Sequence, residues 1–201
     1  MIDNEKLNLI LASNSKGRKA LLTGANINFL AIAANIDEDI IKNRNHSLGF
    51  SPKQTAQDLA DEKAIFVSLQ NQTALVLGSD QVCHLDNEIL NKPGNKQRLF
   101  NHIKKLTGET HILTSAFSIA LNGKIIFRHS DDALLTMYEL GDEDINTYIA
   151  KASDDVVNSA GGYHLEAVGV QLFKKIEGSY FTILGLPLLP LIAFLNDYQT
   201  K

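Results

Sequence analysis

The sequence predicts a single α/β or α+β domain built on a mixed sheet with a cleft. Three observations point there. Apolar runs of strand length alternate with helical patterns along the whole chain. A hairpin signal, Asn122-Gly123, sits in the middle between two strand-like runs. No repeat, low-complexity segment or Pro/Gly-rich linker divides the 201 residues, a length that suits one large domain.

Leu7–Ala12 reads as a buried strand, followed by the polar loop Ser13-Asn14-Ser15-Lys16-Gly17-Arg18. Ser15 is placed to cap a short helix, and Gly24 to close it. Strand, polar loop and helix start together form a ready anion site, to which Ser13, Ser15 and Arg18 add hydroxyls and a guanidinium fork. A plain capped helix with a solvated Arg18 reads the same residues equally well. Ile27–Ala33 reads as a second strand. Asn35-Ile36-Asp37-Glu38-Asp39 then places three carboxylates in a loop, a solvated turn unless a divalent cation bridges it to a phosphate. The segment 42–50 is polar and aperiodic and reads as loop.

Ser51-Pro52 opens a long helix, with Ala56, Leu59, Ala60, Ala64 and Val67 at helical spacing. Lys63 lies beside that apolar stripe, as a snorkelling lysine or as a phosphate contact. The run Ala74-Leu75-Val76-Leu77 reads as a buried strand that stops at Gly78-Ser79-Asp80-Gln81. Ligands of open α/β sheets sit beyond the carboxyl ends of strands, and Asp80 is expected there; an Asx turn is the plainer reading. Val82–Leu85 and Glu88–Leu90 flank a tight turn at Asp86-Asn87, and Lys92 lies in the loop Asn91-Lys92-Pro93-Gly94. Asn95 caps a helix to Leu106. Thr110–Leu121, Lys124–Arg128 and Ala133–Glu139 read as strands, and a helix with an acidic first turn runs from Gly141 to Lys151. The paired glycines of Ala160-Gly161-Gly162-Tyr163-His164-Leu165-Glu166 mark a loop. Val168–Ile176 reads as a strand, and Leu188–Tyr198 as an apolar final helix with Pro190 in its first turn.

Bulk properties narrow the function. A hydrophobic share of 44% and a charged share of 21% are those of a soluble globular protein. A net charge of −4 gives no general attraction to nucleic acid or anionic lipid, so neither is expected as a partner. The single Cys83 cannot form an internal disulfide, and its apolar flank points to packing rather than nucleophilic catalysis. The N-terminus lacks the basic and apolar regions of a signal peptide, and a cytoplasmic location is expected. His46, His84, His102, His111, His129 and His164 show no zinc-hydrolase spacing, and no Walker, G-x-G-x-x-G or G-x-S-x-G motif occurs. Carboxylates at Glu38 and Asp80, with cations at Arg18, Lys63 and Lys92, fit a magnesium-assisted phosphate enzyme. They also fit the scattered surface charge of any soluble domain.

The order LILASNSKGR (9–18), IDE (36–38), EKA (62–64), LGSDQVC (77–83), NKP (91–93), TGETH (107–111), AGGYHLEAVG (160–169) and GLP (185–187) resembles the Maf family across nearly the whole chain. The resemblance implies an enzyme that hydrolyses a nucleoside triphosphate between the α and β phosphates, in a house-cleaning role on non-standard nucleotides. It implies a Maf/ITPase-like fold, an elongated mixed sheet flanked by helices around a central cleft, in a family where homodimers are common. Asp80 matches the general base, and Glu38, with Asp80, the positions near a divalent metal, Mg²⁺ or Mn²⁺. Ser13, Ser15, Arg18, Lys63 and Lys92 match phosphate-cradling positions. Subgroups differ before the motif arginine, after the central Asp and in the late glycine segment, here Gly17, Gln81 and Glu166. Gln81 and Glu166 are similar to the branch preferring 7-methyl-GTP, and a Gln–Glu pair suits the donor and acceptor edge of a guanine. Gly17 departs from the bulky aromatic usual in that branch, and Lys16 from the family's usual Pro. A dTTP/UTP-type pyrophosphatase, and a nucleotide-binding regulatory module with little catalysis, are the alternative readings.

Overall fold

The computed structural model describes residues 2–200. In chain order the elements are β1 (Leu9–Leu11), α1 (Lys16–Gly24), β2 (Leu30–Ala31), α2 (Glu38–Ser47), α3 (Pro52–Ser68), β3 (Leu75–Leu85), β4 (Glu88–Leu90), α4 (Lys96–Leu106), β5 (Thr110–Leu121), β6 (Lys124–Met137), α5 (Asp142–Lys151), β7 (Phe173–Glu177), α6 (Tyr180–Ile183) and α7 (Leu188–Gln199). Three short 3-10 segments lie between α5 and β7. The seven strands form a mixed sheet in the order β2-β1-β3-β5-β6-β7, with β4 beside β3. β1 runs parallel to β2 and β3, while β3–β4 and β6–β7 are antiparallel. The fold is α/β, as expected.

The chain divides into two compact units. The first comprises residues 1–81, 115–131 and 180–201; the second comprises 82–114 and 132–179. Within the first unit β1 and the start of β3 are buried on both faces, and their two-residue period separates two cores. Leu9, Leu11, Leu75 and Leu77 pack with Leu22, Phe117, Ile119, Leu186, Leu188 and Leu191. The intervening Ile10, Ala12, Ala74 and Val76 pack with Val67 of α3. Within the second unit α4 packs on α5, and Leu99, Ile103, Leu106, Ile145 and Tyr148 are buried there.

Local sequence accounts for most element ends. Ser51 caps α3 by accepting from Gln54 N, with Pro52 in the first turn. Asn95 caps α4 by accepting from Arg98 N. Asn122 and Gly123 both have positive φ, 50° and 71°, as a two-residue hairpin between β5 and β6 requires.

Several expectations are corrected. Residues 38–47, expected as loop, form α2, because the Asp37 side chain caps Asp39 N and Ile40 N and the charges follow the helix dipole. Gly24 ends α1 inside the helix; the left-handed residue that turns the chain is Asn26 at φ 53°. β6 runs unbroken across the expected gap between Arg128 and Ala133. Residues 168–172 form a 3-10 segment, leaving β7 to begin at Phe173. Most consequential, β3 does not stop at Leu77 but continues through Asp80 to Leu85, so Asp80 lies inside a strand rather than beyond one.

Candidate active site

Alternation along β3 sorts its residues between two faces. Gly78 and Asp80 face α3, and Ser79 and Gln81 face the opposite way. A Cβ on Gly78 would lie 2.2 Å from Ala60 O and 2.5 Å from Ala64 N. Only glycine lets α3 cross the strand this closely. That approach brings Lys63, one residue before Ala64, against Asp80.

Lys63 Nζ donates to Asp80 Oδ1 at 2.6 Å, and Glu38 Oε1 lies 2.6 Å from the same nitrogen. Lys63 and Asp80 are buried, and Glu38 is about one-third exposed. Lys42 Nζ stands 3.7 Å from Glu38 Oε2. Thus the first residue of α2, a mid-helix residue of α3 and a mid-strand residue of β3 meet at one ammonium. The snorkelling reading of Lys63 does not hold, because its head group is buried and paired.

Arg18 supplies the second cation. It is 8% exposed although it lies in the first turn of α1. Its Nε donates to Gly185 O at 2.9 Å and its Nη1 to Ser13 Oγ at 3.2 Å. Ser15 Oγ accepts from Arg18 N at 3.4 Å, and Ser13 Oγ accepts from Ser15 N at 3.2 Å. Burial lowers the Arg18 pKa from its ordinary value, and the negative charges of Asp80 and Glu38 oppose that shift. Glu38 and Asp80 thus face Lys63 and Arg18, with Lys42 also beside Glu38.

Eight of the ten residues expected at the site, Ser13, Ser15, Gly17, Arg18, Glu38, Lys63, Asp80 and Gln81, belong to the first unit. Gly17 is crowded, since an added Cβ would lie 3.1 Å from Leu184 O. Lys92 and Glu166 belong to the second unit, both exposed, Lys92 in the loop after β4 and Glu166 in a turn of residues 165–167. Sequence reasoning missed Ser79 and Ser115. Both are buried; Ser115 Oγ donates to Thr182 O within α6, and Ser79 Oγ to Gly185 O just after it. Their polarity within otherwise apolar strands was the available signal.

The donor set fits a hard divalent cation. Glu38 Oε1 and Asp80 Oδ1 converge on a point already occupied by positive charge. Mg²⁺ is commonly held by one or two carboxylates, with phosphate oxygens and water completing its shell. Among the described residues no group of three or more His, Cys, Asp or Glu is placed to hold a metal. Any such ion would therefore depend on the substrate for much of its coordination.

A family model described as Maf-like protein matches residues 8–198. The chain belongs to the Maf family. Curated relatives align over almost the whole Maf chain. A 7-methyl-GTP pyrophosphatase of Brucella abortus is 44% identical over 188 residues, 94% of each chain. A nucleoside triphosphate pyrophosphatase of Nitrobacter hamburgensis is 44% identical over 190 residues, 94% of this chain and 93% of that one. A 7-methyl-GTP pyrophosphatase of Rhizobium meliloti is 41% identical over 189 residues, 94% and 95%. The structure of a HAM1 protein from Coxiella burnetii matches 67% of this chain and 74% of that one at 11% identity, with a TM-score of 0.39, too distant to add to the fold assignment. Among the described residues of the Maf chain, no helix is long and apolar enough to cross a membrane.

Proposed function

We propose that the chain is a nucleoside triphosphate pyrophosphatase, an acid-anhydride hydrolase that cleaves the α–β phosphoanhydride and releases the monophosphate and pyrophosphate, and that 7-methyl-GTP is its preferred substrate. Family membership and relatives of that name, aligned over 94% of this chain, support the reaction class. The observation that carries the reading is the meeting of Asp80, Glu38 and Lys63 in the unit that also buries Arg18. The 7-methyl-GTP preference is supported by relatives bearing that name and by Gln81 and Glu166 at the branch-determining positions.

Asp80 is the general base. Lys63 holds its Oδ1, which leaves Oδ2 to accept a proton from water. That water attacks the α-phosphorus, the bond from phosphorus to the bridging oxygen breaks, and the electron pair leaves with pyrophosphate. Arg18, Ser13 and Ser15 bind phosphate oxygens, with the backbone N–H groups at the start of α1 behind them. Lys63 adds a cationic contact. Glu38 and Asp80 would hold Mg²⁺ or Mn²⁺, which when bound neutralises phosphate charge. A cytoplasmic location and a homodimer are part of the same proposal.

A pyrophosphate-release screen over the canonical triphosphates and 7-methyl-GTP, with Mg²⁺ or Mn²⁺, tests it. Pyrophosphate release with 7-methyl-GTP fastest is expected. Faster turnover of dTTP or UTP would overturn the preference, and saturable binding without release across the panel would overturn the enzyme.

A further inference from the structure

We propose that Lys63 is the resident counterion of the acid pair Glu38 and Asp80, and that it yields that place to the divalent cation of the proposed reaction and so becomes available to phosphate; this rests on the divalent-metal reading of the site.

Two acids brought together need positive charge between them, or one must take up a proton. One ammonium meets that need. Lys63 Nζ is 2.6 Å from Asp80 Oδ1 and 2.6 Å from Glu38 Oε1. A Mg²⁺ ion bonded to the same two oxygens at about 2.1 Å would lie within about 5 Å of that nitrogen. Like charges so close, largely out of water, repel strongly. Two further cations already face the pair. Lys42 Nζ stands 3.7 Å from Glu38 Oε2, and the buried Arg18 interacts with both acids. Without phosphate to balance it, a divalent ion added to all three would leave surplus positive charge in a largely buried place, so one cation has to leave.

Lys63 is the one that leaves, because it shares the metal's oxygens. Arg18 is docked elsewhere, with Nε on Gly185 O at 2.9 Å and Nη1 on Ser13 Oγ at 3.2 Å. Lys42 is partly exposed and divides its charge between Glu38 and Asp39, at 3.7 Å and 3.9 Å. Lys63 carries a point charge on a flexible four-carbon stem, so its head can move while α3 stays in place. Glu38, about one-third exposed, opens the pair to solvent and gives an ion a way in. An arginine here would grip the carboxylates with a planar fork and give way less readily.

Mn²⁺ binding without nucleotide is titrated by electron paramagnetic resonance on the full chain and on three variants. Lys63→Met should bind Mn²⁺ at least about tenfold more tightly than wild type, because the site no longer has to be vacated first. Mn²⁺ should also raise the melting temperature of Lys63→Met more than that of wild type. Lys42→Met removes a nearby charge but no competitor for the shared oxygens, and should change the affinity by less than about threefold. Lys63→Arg should bind Mn²⁺ more weakly than wild type. In the wild type, the ammonium signal that Lys63→Arg lacks is followed by nitrogen–proton NMR as Mg²⁺ is added. It should leave its ion-paired position in step with Mg²⁺ binding, and settle at a new one when tripolyphosphate is added as well. A Lys63 signal that stays in place while Mg²⁺ binds would overturn the proposal. So would a Mn²⁺ affinity of Lys63→Met no greater than that of Lys42→Met. If Lys63→Met does not fold, Lys63→Arg and the wild-type spectra decide. If no form binds a divalent ion, the metal reading and this inference fail together. If the exchange is seen but no triphosphate is hydrolysed, the proposed reaction alone fails.

Discussion

Lys63 Nζ stands 2.6 Å from Asp80 Oδ1, both side chains buried, and that one contact joins α3 to the middle of β3. The same ammonium holds Glu38 Oε1, so Lys63 keeps two acids in one place and stops them repelling each other. Removing it strands a buried carboxylate. Lys63→Met is expected to cost about 3 kcal/mol of stability, read by urea unfolding. The double variant with Asp80→Asn should regain part of that loss. Equal instability of the single and double variants would mean that the pair contributes only packing.

Asp80→Asn keeps the side-chain shape and a carbonyl oxygen for Lys63, and removes the proton acceptor. Turnover should fall by about 10²–10⁴-fold, the usual worth of a general base. Nucleotide affinity, measured by calorimetry, should change little. Turnover near wild type would remove Asp80 as the base.

Gly78→Ala tests the strand–helix approach. The added methyl meets Ala60 O and Ala64 N, backbone atoms that cannot rotate away. A loss of about 3 kcal/mol is expected, at the upper end for overpacking, together with lost activity as Lys63 is pushed from Asp80. Wild-type stability in a denaturant titration would refute the close packing.

Acid should unfold the protein partly through His111. Burial pulls its pKa down to about 3 from 6.5, and His102 and His84 nearby push the same way. Its Nε2 pairs with Tyr163 Oη at 2.6 Å. Because the folded pKa is the lower one, the unfolded chain binds the extra proton between these values. The contribution is complete above pH 6.5 and is lost as pH falls toward 3. His111→Gln should take up about one proton fewer on unfolding in that window, seen as a shallower fall of stability with pH. An unaltered slope would place the acid sensitivity elsewhere.

Cys83 is fully buried, and burial raises its pKa to about 12. The native protein should resist a thiol reagent at pH 8, and one equivalent should react in denaturant. Rapid reaction of the native thiol would contradict its placement.

The fold class and the capped helices were legible because their signals are local: Ser51-Pro52, Asn95 and Asn122-Gly123 each act on their immediate neighbours. The helix at 38–47 was equally local, with Asp37 as cap, acids first and Arg44 and His46 last. Its weak apolar pattern, with only Ile41 and Asn45 buried, hid it. Asp80 was expected beyond the end of its strand but lies inside it. Gly78 looked like a terminator, whereas it is a point of contact with α3, and contacts across elements leave no mark on neighbouring letters. For the same reason Lys63 could not be told from a surface lysine, nor could Gln81 be tied to a turn 101 residues away.

The two-sided arrangement of β3 gives this strand something like a reading frame. Asp80 serves the helix side and Ser79 and Gln81 the turn side, so their roles are fixed by parity as much as by residue type. Substitution can retune either side separately. An inserted or deleted residue between Val76 and Asp80 would present the acid to the turn and the amide to α3 at once. Divergence at this site is open to changes of letter and closed to changes of length.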